Sequence, residues 1–203
     1  LRAGIIDGTY APGTVLLETA ISKEFGVSRT PAREALTRLT QDGWVVRSQR
    51  GYQVRVRNVD EIVDLYDARI ALESTAAELA AERRTSTDLA VIEHCLANRE
   101  ASSDSSDQSQ LNKQWHVTVI QAAHNATIAR YLDDVRAQLQ IYRKAYEAAR
   151  FEAGNADREL SEHQLITTAI RDRDGQAARL LMTTHLAHGR TLRIAALQRG
   201  TRA

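Results

Sequence analysis

Apolar positions fall into two regimes along this chain. Over residues 1–58 the apolar runs are short and broken by turn formers; from residue 59 they recur every three or four positions with few interruptions. Residues 1–7 read as a helix stopped near Gly8. Leu1 falls inside that helix, so residues ahead of it are expected in the natural protein. Pro12-Gly13 predicts a turn, and residues 14–16 a short extended piece. Residues 17–25 place Ala20, Ile21 and Phe25 on one side at helical spacing. Gly26 permits a tight turn into the next helix, from Ser28 to about Asp42, with Ala32, Ala35, Leu36 and Leu39 as its buried face. Ser28 is a natural N-cap, because its hydroxyl can accept from an orphan amide one turn in. Pro31 sits in the first turn, where its missing N–H costs little. Gly43 ends the helix, and residues 44–46 and 52–56 alternate as two strands joined by residues 48–51.

Beyond a short linker at Asn58 and Val59, Asp60 caps a long helix to about Arg84. Further helices are expected over residues 87–98, 112–123, 128–151, 157–172 and 176–197, with Gly154-Asn155 and Gly175 as breaks. Residues 102–109 are Ser- and Asp-rich and predict a mobile loop. The fold class is therefore mainly α. Residues 1–58 form a helix-turn-helix with a hairpin, and residues 59–203 form six helices with no strand signal.

Composition sharpens this picture. With 203 residues the chain can bury two small cores, and two prolines with 5% aromatics favour helix over sheet. A single cysteine, Cys95, supports no disulfide framework and no thiolate metal cluster. No apolar run approaches membrane-spanning length and no signal-peptide pattern opens the chain, so a cytoplasmic location without membrane contact is expected. The net charge of +1 hides an asymmetry: residues 1–59 carry nine Lys/Arg against five Asp/Glu, and the remainder carries a surplus of acids. A basic head on an acidic body suggests a phosphate-binding module joined to a part with another task.

The chemistry sits in two places. Arg29 and Arg33 are four apart and share one face of the Ser28 helix, beside Ser28 and Thr30. A helix presenting two arginines and small polar residues at its start suits the major groove of double-stranded DNA, and Arg50-Gly51 at the hairpin tip suits a sugar-phosphate edge or the minor groove. All six histidines lie in residues 59–203. Asn112 and His116 share a helix face, while His163 and His185 fall on two other helices. Imidazoles from three helices can converge on a divalent cation together with an amide oxygen, although spacing alone does not establish convergence. Arg69, on a largely apolar helix face, is either a carboxylate clamp or the i+4 partner of Glu73.

The residues Gly26-Val27-Ser28-Arg29-Thr30-Pro31, Arg33-Glu34-Ala35-Leu36, Leu39, Gly43 and Gly51, with Gly8, Pro12-Gly13 and Leu16 upstream, resemble the winged helix-turn-helix of the GntR family of bacterial transcription regulators. Asn112-x-x-Trp115-His116, Glu162-His163 with Ile166, Ala169, Ile170, Asp174 and Ala178, and Met182-x-x-His185 are similar to the FCD effector domain of the FadR subfamily. Arg69-x-x-Leu72-Glu73 fits its first helix, and six helices rather than seven resemble the VanR-like branch. The resemblance implies a metabolite-responsive DNA-binding regulator, a repressor acting as a homodimer on operator DNA, whose effector is a small organic acid. It implies a metal held by Asn112, His116, His163 and His185, zinc first, with nickel or manganese as alternatives. Asn112 departs from the aspartate common at this position, which leaves the site more cationic. Tyr142 and Arg143 are further candidates for the effector pocket. Two other readings remain open: a metal-dependent enzyme acting on small organic acids, and an architectural DNA-binding protein. The first lacks a positioned nucleophile or acid–base pair, and the second leaves the histidines unused.

Overall fold

The computed structural model describes residues 1–142 and 155–200. Nine helices and three strands run in the order α1 (Arg2–Ile6), β1 (Val15–Leu16), α2 (Glu18–Glu24), α3 (Arg29–Gln41), β2 (Val45–Ser48), β3 (Gly51–Val54), α4 (Val59–Arg83), α5 (Ser86–Ala101), α6 (Ser105–Ala122), α7 (Ala126–Gln140), α8 (Asn155–Arg171) and α9 (Gly175–Gly200) among the described residues. Contacts sort them into two units. The first comprises Leu1–Ile62 and the stretch starting at Ala137; the second comprises Val63–Arg136 and the described residues from Asn155 onward.

The first unit is a winged helix-turn-helix. Gly26 takes φ +64°, a left-handed conformation that costs glycine little, and so turns the chain from α2 into α3. Ala32, Leu36 and Leu39 of α3 bury against Ile5, Ile21, Trp44 and Val54. Ser28 holds the N-cap position in extended backbone, yet its side chain makes no capping bond, so the hydroxyl stays outward. The sheet order is β1-β3-β2, all antiparallel, with Arg47 opposite Tyr52 and Ser48 opposite Gly51. Gly51 is fixed by its surroundings. Its φ is +127°, and a Cβ there would stand 3.1 Å from the Leu16 carbonyl oxygen. Ala137 and Ile141 pack on this same core, and the Tyr142 hydroxyl accepts from the Arg57 amide at 3.2 Å.

The second unit is all helix, α4 to α9, six among the described residues. Fully buried alanines on α4, Ala76, Ala77, Ala80 and Ala81, let neighbouring helices approach closely. Around Ala77, Ala80 and Ala81 pack Ile92 and Cys95 of α5, Trp115 and Val119 of α6, Ile166 and Ile170 of α8, and Met182 of α9. Thr85 and Asp88 close a reciprocal capping box on α5. Most of the polar stretch expected as a mobile loop, residues 105–109, is instead the start of α6. The Asp104 side chain accepts from the Asp107 amide at 2.9 Å, and Ser and Asp residues that disfavour a helix interior suit its first turn. Asn125 caps α7 through Ile128 in the same way. Arg99 and Glu159, both buried, pair at 2.9 Å and tie α5 to α8.

Candidate metal centre and DNA-reading surface

In the first unit, Ser28, Arg29, Thr30 and Arg33 are all exposed on the opening turns of α3, and Arg50 is exposed at the wing tip. Arg33 is engaged in the free protein: its Nε and Nη2 donate to the two carboxylate oxygens of Glu18 on α2, each at 3.0 Å. The pair raises the Arg33 guanidinium and lowers the Glu18 carboxyl from their ordinary values. An exposed pair of this kind is held weakly, so a phosphate or a guanine edge can replace Glu18. Sequence reasoning passed over Arg47, exposed on β2 with its guanidinium 4.8 Å from the Tyr52 ring centre. Its charge reaches Glu18, as those of Arg29 and Arg33 do, so the three arginines serve one surface.

In the second unit the three predicted histidines converge. His116 of α6, His163 of α8 and His185 of α9 are buried, and His185 Nε2 lies 3.2 Å from His163 Nε2 and 3.3 Å from His116 Nε2. Two nitrogens each about 2.05 Å from one ion at the tetrahedral angle are about 3.3 Å apart. The donor spacing therefore fits a metal of zinc's size. Asn112, one turn before His116, is buried and its Oδ1 has no hydrogen-bond partner, the signature of an acceptor kept for something else.

Carboxylates behind the rings set which nitrogen faces inward. Glu73 of α4, fully buried, places Oε1 against His116 Nδ1, and Glu162 Oε2 accepts from His185 Nδ1 at 2.8 Å. With the proton held on Nδ1, each ring turns its Nε2 lone pair to the shared centre. Burial pushes the His116 imidazole down to about 3, against the pull of Glu73, so the ring is neutral. Burial also opposes the Glu73 charge, but Arg69, His116 and Arg136 together hold its carboxyl well below the usual range. Glu162 likewise drops to about 2 despite burial, through bonds from His185, His188 and Arg158. Trp115 stacks on His163 with ring centres 3.9 Å apart and donates its Nε1–H to Thr167 Oγ1, which fixes the ring plane.

The Arg69 Nε donates to Glu73 Oε2 at 2.8 Å, its i+4 carboxylate. The Tyr142 hydroxyl accepts from the Arg57 amide within the first unit. Arg143 lies outside the described residues. His188 serves Glu162 on the outer side, and His94 and His124 bond to Asn98 and Asp88. Glu73 was legible only as an Arg69 partner and Glu162 only as a neighbour of His163; their contacts cross between helices.

The family profile described as "Bacterial regulatory proteins, gntR family" matches residues 1–53, and the profile "FCD domain" matches residues 64–188. The galactonate operon transcriptional repressor of Escherichia coli (strain K12) is 30% identical over 213 residues, covering 90% of this chain and 89% of that protein. The repressor RspR of the same organism is 28% identical over 191 residues, covering 92% and 82%. A solved structure of a putative transcriptional regulator from Rhodococcus sp. RHA1 superposes with TM-score 0.71 at 24% identity, covering 96% of this chain and 93% of that one, and so shares its fold.

Proposed function

We propose a metal-dependent effector switch, on the premise that this chain belongs to the GntR family of bacterial regulatory proteins and carries an FCD domain. The chain is a transcriptional regulator, as its named relatives are. In our reading it is a cytoplasmic repressor that binds operator DNA as a homodimer and is released by a small organic acid.

The observation that carries this reading is the trio of Nε2 atoms, 3.2 and 3.3 Å apart, with a buried, orphaned Asn112 Oδ1 one turn before His116. Two inward lone pairs at that spacing repel unless a cation lies between them, and Glu73 and Glu162 keep the protons on the outer nitrogens. His116, His163, His185 and Asn112 would hold the ion, with zinc first and nickel or manganese as alternatives. Bound there, the ion supplies a Lewis-acid contact for an anionic effector oxygen. Arg69 keeps Glu73 ionised and in place. The acid must favour one of two arrangements of the regulator; a tenfold preference corresponds to about 1.4 kcal/mol. The test strips the protein with a chelator, reloads it with zinc and titrates operator DNA with and without candidate acids. The zinc-loaded protein is expected to respond and the stripped one not to. A response that survives stripping overturns the reading.

For the head, Arg29 and Arg33 read base edges, Ser28 and Thr30 face phosphates, and Arg50 with Gly51 reaches the backbone or minor groove at the wing. A dimer through α4 and α7 doubles this small footprint on a pseudo-palindromic site. Arg29→Ala and Arg33→Ala are each expected to weaken operator binding on the order of tenfold to a hundredfold per half-site, with footprints of two-fold symmetry. Unchanged affinity in both variants, or a footprint without symmetry, contradicts the assignment.

A further inference from the structure

One cation in the second unit acts on Glu73 only through its charge and has few hydrogen-bond partners of its own. Arg136 on α7 is half-buried, yet its one hydrogen bond among the described residues goes to a backbone carbonyl, that of Lys113 on α6, from Nη2 at 3.3 Å. It forms no ion pair within reach among the described residues. Lys113 follows Asn112 directly, so the guanidinium stands against the turn of α6 that carries Asn112 and His116. Guanidinium offers five donors in a planar fork, and here most of that fork is unspent.

The surroundings make this arrangement costly without an anion. Arg69 and Glu73 neutralise one another, as do Arg158 and Glu162. The histidines and Asn112 contribute no charge when they serve as ligands. Arg136 and a divalent ion then leave an excess of positive charge, softened by Glu73, which Arg69 already pairs, and by Asp133 one turn back on α7. Burial already pulls the Arg136 guanidinium below its ordinary value; Glu73 opposes that shift and the Arg69 charge adds to it. A half-buried arginine with no ion pair among the described residues, beside a cationic centre, is a place where an added anion is favoured.

We propose that Arg136 is the second anchor of the effector and that the effector is a small dicarboxylate. One carboxylate faces the centre formed by Asn112, His116, His163 and His185, and the other lies in the Arg136 fork. Arg69 already donates to Glu73, whereas Arg136 has donors to spare among the described residues. The proposal rests on the effector site described above and names its ligand class. A monocarboxylate satisfies one pole and leaves the other bare, so the second charge is the source of selectivity.

The experiment is calorimetric titration of succinate and of propionate into the full chain, metal-stripped and zinc-loaded, for the parent, Arg136→Gln and Arg136→Lys. The zinc-loaded parent is expected to bind succinate at least about tenfold tighter than propionate. Arg136→Gln is expected to erase that gap while zinc affinity stays within about twofold of the parent, and Arg136→Lys to restore part of it. In stripped protein, residual succinate binding is expected to vanish with Arg136→Gln. Equal affinity for the two acids in the parent, or a gap that survives Arg136→Gln, overturns the anchor. If stripping zinc changes nothing but Arg136→Gln removes succinate binding, the metal reading fails and the anchor stands. If neither acid binds the zinc-loaded parent, both fall.

Discussion

Glu73→Ala is expected to cost about 3–5 kcal/mol of folding stability in the metal-free protein. Glu73 is fully buried, and its carboxylate is shared by the Arg69 guanidinium and the His116 ring. Such a pair is weak evidence of net stabilisation, because both charges had to leave water. Removing only the anion is a different matter: it leaves the cation's desolvation uncompensated by the charge that offset it. The same substitution removes the group that orients His116, so zinc affinity is expected to fall about 10–100-fold. Glu73→Gln keeps the shape and one acceptor and separates the two effects: it is expected to lose less stability than alanine but still weaken zinc. Urea unfolding of stripped protein and competitive zinc titration read these quantities. A stability loss below about 1 kcal/mol for the alanine variant would mean that α4 contributes little to the centre.

Local features of the chain were readable in advance, and cross-helix ones were not. The turn at Gly26, the helix opening at Ser28 and the hairpin closed by Gly51 are written within a few positions of each residue that makes them. Asn112 and His116 share a face because four positions make one turn. The convergence of His163 and His185 upon His116 needed the resemblance, since periodicity places residues on a helix but not helices against each other. Glu73 and His116 are 43 positions apart, so no spacing rule announces their contact. Arg136 is likewise invisible as a string: one arginine among many, distinguished only by burial without an ion pair. The polar stretch before Leu111 misled because Ser and Asp favour both loops and first helical turns, and the Asp104 cap decided between them.

His163→Ala is expected to abolish the response to acid while sparing the DNA-binding head. His163 is fully buried, supplies one of three imidazole nitrogens and comes from α8, an element that contributes no other donor to the trio. Loss of a direct ligand exceeds the 10–100-fold effect of outer partners, so zinc affinity should drop by at least about a hundredfold. The ring also stacks on Trp115, and its removal opens a void there. His163→Gln fills most of that space and serves as the companion variant. The head's recognition residues lie in the other unit, Leu1–Ile62, so ligand-free operator affinity is expected to stay within about threefold, below the tenfold that 1.4 kcal/mol represents.

The most direct measurement is operator affinity, by fluorescence anisotropy, for zinc-treated parent and His163→Ala, each with and without a saturating panel of small mono- and dicarboxylates. The account predicts that at least one acid weakens the parent's operator binding by about tenfold or more and that no acid moves the variant. A His163→Ala protein that releases DNA with the same acid and to the same extent as the parent would contradict it.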